Sequence, residues 1–158
     1  MPAWLPRLLA ASAATAVNPR DWADSTLTPR QVAVAPEDAG NARVIWGGRI
    51  IDVENKSDHT EVEVLAYPLD KNQLPLQNDV GSGRFIALLP GYVEPLDYPV
   101  DGWVTMQGSI RGVRSARVGQ APYVFPLLDV RAAHVWTPKD MQRRSNVHFG
   151  VGVGIGIR

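Results

Sequence analysis

The sequence predicts an all-β protein built as one small five-stranded barrel. Three observations carry that expectation. Five segments between Arg43 and Trp136 alternate apolar and polar residues, or are apolar on both faces. The 14 glycines and 13 prolines suit short strands joined by tight turns. No stretch of that region sustains a long 3.6-residue period.

Each strand is argued from its own residues. Val44 and Trp46 share a face, and beyond Gly47-Gly48 the apolar Ile51 and Val53 fall on the other parity. A change of phase across a glycine pair predicts a bulge or bend there. Asn55 to His59 reads as a polar turn. Thr60 to Leu69 is the second strand, with Val62 and Val64 inward and Glu61 and Glu63 outward. Asp70 to Gly83 is a polar connection. Arg84 to Leu89 is apolar on both faces and therefore expected to be covered on both. Pro90-Gly91 ends it, and Tyr92 to Asp101 is an irregular link with room for one helical turn. Trp103 to Val113 follows, with Val104, Met106 and Ile110 inward. Arg114 to Pro122 reads as a loop. Tyr123 to Trp136 closes the set, with Leu128, Val130, Ala132 and His134 inward. A bent, glycine-containing first strand and five strands in all point to an oligonucleotide/oligosaccharide-binding (OB)-like barrel, with a short β-sandwich as the alternative.

Residues 43–137 thus form the barrel domain, and the rest is organised around it. Residues 1–17 have the outline of a secretory signal: one arginine, an apolar run and Ala14-Thr15-Ala16. A frayed N-terminal helix would produce the same pattern. Residues 18–42, broken by Pro19, Pro29 and Pro36, read as a flexible linker or lightly docked arm, with Trp22 as an anchor. Residues 138–158 form a tail whose odd positions Val147, Phe149, Val151, Val153, Ile155 and Ile157 are bulky and apolar. Gly150, Gly152, Gly154 and Gly156 lie between them. That strict period of two predicts a strand that pairs with the core, a second copy or a membrane-associated partner.

The chain carries 16 basic and 16 acidic residues, so no net field draws it onto nucleic acid. The absence of cysteine excludes disulfides, a thiol nucleophile and thiolate metal sites. No run of 18 apolar residues encodes a spanning helix. His59, His134 and His148 have no metal-ligand spacing, and Gly81-Ser82-Gly83-Arg84 lacks the lysine and helix of a phosphate loop. The expectation is no enzyme, no cofactor and no metal. The candidate interaction surface is Arg111, Arg114 and Arg117, with Trp103 and Tyr123 as aromatic partners and Tyr67 beside them. Such a surface would suit a glycan, a lipid head group or lipopolysaccharide phosphate.

VIWGGRIIDVENKSDHTEVEVLAYPLD, GRFIALLPGYVEP, WVTMQGSIRGVRSARVGQAPYVFPLLDV and AAHVW, in that order, resemble the Slp family of starvation-inducible outer-membrane lipoproteins. The resemblance spans Val44 to Trp136. It implies a periplasm-facing domain at the outer membrane, a stress-associated role, envelope components as partners and no catalytic residue to carry over. Family members have a lipobox cysteine, whereas the matching LLAASAATAVNP has none. In the unlipidated case the tail becomes the candidate for membrane attachment.

Overall fold

A computed structural model describes residues 23–142. Five strands carry the architecture: β1 (Arg43–Asn55), β2 (His59–Tyr67), β3 (Arg84–Pro90), β4 (Trp103–Val118) and β5 (Ala121–Trp136). They close into a barrel in the order β1-β2-β3-β5-β4, with β4 returning to β1. All neighbours are antiparallel except β3 and β5, which run parallel over Ile86–Leu88 and Leu127–Asp129. This is the order of the expected OB-like barrel.

The barrel forms because one row of each strand is apolar. Val44, Trp46 and Ile50 meet Val62, Val64 and Ala66, Phe85, Ala87 and Leu89, Val104, Met106 and Ile110, and Leu128 in one buried cluster. Glycines let the walls close. A Cβ on Gly48 would stand 1.9 Å from the Leu65 carbonyl oxygen, and one on Gly47 2.5 Å from that of Val104. Only glycine lets β1 lie this close to both neighbours.

The change of phase in β1 lies elsewhere than expected. Gly47 and Gly48 stay in register with β2, and the ladder shifts between Ile50 and Asp52. Ile51 is the extra residue. Ile50 stays in the buried cluster, its N–H donating to the Gly102 carbonyl (2.8 Å) and its carbonyl accepting from the Asp101 N–H (2.7 Å).

The second correction concerns Arg114 to Pro122, which is no loop. β4 runs on to Val118 and β5 begins at Ala121, with Gly119 (φ 62°) and Gln120 as a two-residue turn. The third concerns parity in β5. The ladder shifts across Arg131, so Val135 packs on the core while Ala132 and His134 are exposed on the outer face. An extra residue in one strand turns every later side chain over.

The described part of the arm is docked. Residues 29–39 form two short helices, α1 (Pro29–Val34) and α2 (Pro36–Ala39). Thr28 and Gln31 make reciprocal capping hydrogen bonds (3.2 and 2.9 Å) with Pro29 in the first turn. Val32 is fully buried in the barrel cluster. Thr28-Pro29-Arg30-Gln31 is a capping-box signal, so this helix was legible. Trp22, residues 1–17 and the Val147–Ile157 alternation lie outside the described residues.

Candidate functional site

The candidate basic surface is built on a bent hairpin. Beyond Ile110, β4 gains one residue against β5, and Gly112 takes φ 96° at that bulge. The bend carries the distal halves of β4 and β5 over the outside of β3. There Phe125, Val118, Tyr123 and Leu127 pack on Ile86 and Leu88. This explains why β3 is apolar on both faces.

Arg114 fastens the hairpin. Its guanidinium donates to both carboxylate oxygens of Glu61 on β2, at 2.8 and 2.9 Å. His59 joins the pair, with Nε2 2.9 Å from Glu61 Oε2 and Nδ1 2.7 Å from Asp58 Oδ1. A ring that donates at both nitrogens is the imidazolium. Accordingly Asp58, and then Glu61, raise the His59 pKa, and His59 lowers that of Asp58. The Arg114 hydrogen bonds outweigh burial at Glu61 and hold its pKa at about 2. Glu63 is paired with Arg84 at 2.5 Å. Both carboxylates are therefore engaged by cations, and a Glu61 ionised at neutral pH is no general acid.

The other candidates are dispersed. Arg111 pairs with Asp129 at 3.2 Å on the exposed surface, and Arg117 donates to the Gln120 carbonyl at 2.9 Å. Tyr123 accepts the Arg84 N–H at 2.8 Å and tilts against Phe125. Trp103 is elsewhere, buried with Leu74 and Met141, with the Tyr67 ring edge-on at 5.0 Å and Arg49 over its face at 5.1 Å. So the three aromatics do not form one face. Tyr67 and Trp103 sit together, and Tyr123 belongs to the hairpin.

Sequence reasoning missed two clefts. One, of about 410 Å³, lies between Ser25–Pro29 and the barrel, lined by Leu27, Ile45, Trp46, Tyr67, Leu69 and Gln73. The Trp46 indole N–H donates to the Leu27 carbonyl at 2.8 Å and ties its two walls together. The second, about 330 Å³, lies on the outer face among Ile45, Gln73, Thr105, Gln107, His134 and Trp136. Gln73 stands between them at φ 68°, its carbonyl bonded by Thr105 Oγ1 at 2.6 Å. Asp70 Oδ1 accepts from Asn72 and Leu74 (2.8 and 3.0 Å), which firms that dividing loop. No Asp, Glu, Lys or Arg lines either cleft. Among the described residues no three His, Asp or Glu converge as a metal site, and no helix is long and apolar enough to cross a membrane.

A barrel of OB-like order with its hairpin folded over β3 defines the class by shape. Comparison defines it by descent: the chain belongs to the outer membrane lipoprotein Slp family, whose model matches residues 9–152. It is 29% identical over 116 residues to the uncharacterized lipoprotein YeaY of Escherichia coli, covering 71% of this chain and 60% of that protein. It is 30% identical over 109 residues to the outer membrane protein Slp of Escherichia coli, covering 69% and 57%. An uncharacterized protein of Haemophilus influenzae is 30% identical over 95 residues, covering 58% and 50%. The chain thus spans 50–60% of the length of these curated relatives.

Proposed function

We propose that this protein is a non-enzymatic component of the outer envelope, held at the outer membrane with its barrel facing the periplasm and serving the stress or starvation response. The family match over residues 9–152 carries this reading. In its support, Glu61 and Glu63 are engaged by Arg114 and Arg84, so these four charged side chains fasten the fold to itself. The partners expected are envelope components, with no cofactor and no nucleic acid. The hairpin covers the β3 face that OB-type barrels offer to oligonucleotides.

The test is fractionation of cells together with intact-mass measurement of the protein's N-terminus. Recovery in the outer-membrane fraction is the expected result, and the mass reports cleavage and acylation. Recovery in the cytosol with an unprocessed N-terminus overturns the reading. The two uncharged clefts favour a second reading, a binding module for an apolar ligand. Under that reading, Trp46 and Tyr67 fluorescence titrates with a fatty acid and is unmoved by soluble oligosaccharides.

A further inference from the structure

Closure of this barrel leaves part of one strand uncovered. β3 and β5 pair only from Ile86 to Leu88 and from Leu127 to Asp129, and β5 continues to Trp136. Over Ala132–Trp136 its inner edge bonds β4, and among the described residues no strand pairs with its outer edge. Ala132, Ala133 and His134 are exposed in succession, although alternate residues of a barrel wall point inward. No charge or proline interrupts Ala132–Trp136. Folded proteins normally blunt such an edge with charge or proline, or cover it.

The chain itself carries a segment of matching chemistry. Residues 147–157 alternate bulky apolar side chains with His148 and then glycines, and contain no Asp, Glu, Lys, Arg or Pro. The described chain ends close to the edge. After β5, Thr137 and Asp140 cap a helical turn by reciprocal hydrogen bonds (3.0 and 3.2 Å), and Met141 is buried against Leu74 and Trp103. The chain therefore leaves the described structure at Gln142, beside the end of β5. Residues 143–146 reach roughly 14 Å, and a paired strand lies only about 4.8 Å away.

We propose that residues 147–157 add to the outer edge of β5 along Ala132–Trp136, as an intramolecular sixth strand. Backbone hydrogen bonds supply the pairing, and each glycine keeps its N–H and C=O for them. A tethered segment faces its edge at about millimolar effective concentration, which favours it over the same segment of a second copy.

The test is amide hydrogen exchange on the full chain, compared with the variant carrying Gly152→Pro and Gly154→Pro. Proline removes the donors that an added strand needs. Alternate amides of Ala132–Trp136 should exchange at least about tenfold more slowly in the wild type, while β2 amides behave alike in both. Equal exchange overturns the proposal. A second readout covers failure of that variant to fold. The chain has no cysteine, so a nitroxide on Ala132→Cys is a single label. It should broaden the Gly150–Gly156 amides, and dilution with unlabelled protein should leave this unchanged. Broadening that vanishes on dilution shows a second copy on the edge. Broadening or protection that appears only with phospholipid vesicles shows a membrane role. Either result overturns the intramolecular strand.

Discussion

Glu61 shows how a residue changes meaning once its neighbours are known. By alternation along β2 it belongs to the outer, solvated face, yet it is 9% exposed, because Arg114 and His59 close over it. Its depressed pKa sets a pH dependence. A carboxyl that ionises more readily when folded stabilises the fold above its unfolded pKa, near 4.5, and that contribution is lost as pH falls toward about 2. Acid titration of the wild type should therefore show stability falling through that window, and Glu61→Gln should flatten it. At pH 7 the same substitution should cost about 1–2 kcal/mol in urea denaturation, between the values of exposed and buried ion pairs, since Arg114 is part-exposed.

At the scale of the element, the β4–β5 hairpin depends on its bend. Gly112 sits at φ 96° with open space where a side chain would be, so the obstacle to substitution is backbone conformation alone. Gly112→Val should cost about 1–3 kcal/mol and loosen the hairpin. Faster limited proteolysis near Gly119 and increased binding of an apolar dye to uncovered Ile86, Leu88 and Phe125 would report it. If proteolysis and dye binding match the wild type, the bulge does not direct the hairpin. The strand pattern of β4 was legible only as far as Val113. From Arg114 to Val118, Arg, Ser, Ala and Arg suggest a loop, because this arm covers β3 with Val118 and with residues of β5.

For the molecule as a whole, the question is whether arm and barrel unfold as one body. Val32 of α1 is completely buried in the barrel cluster, and the Trp46 indole holds Leu27 from inside the barrel wall. Val32→Ala should lower stability by about 2 kcal/mol. Thermal unfolding should stay a single transition, with tryptophan fluorescence and far-ultraviolet circular dichroism coincident. Two separated transitions would show an arm that is only lightly attached.

The sequence by itself determined that there are five strands, the inward rows of β2, β3 and the first half of β4, the barrel class and the family resemblance. All of these follow from local alternation, turn chemistry and ordered motifs, which are written residue by residue. Only the tertiary structure decided where β1 and β5 change phase, that Arg114 to Val118 continues a strand, and that the candidate arginines and aromatics are separated and engaged. A bulge is one extra residue measured against a partner strand, and an ion pair spanning 53 residues joins elements whose proximity no local pattern encodes. The clefts beside Gln73 have the same origin, since one forms where the arm meets the barrel and the other where the Gln73 loop meets β1, β4 and β5.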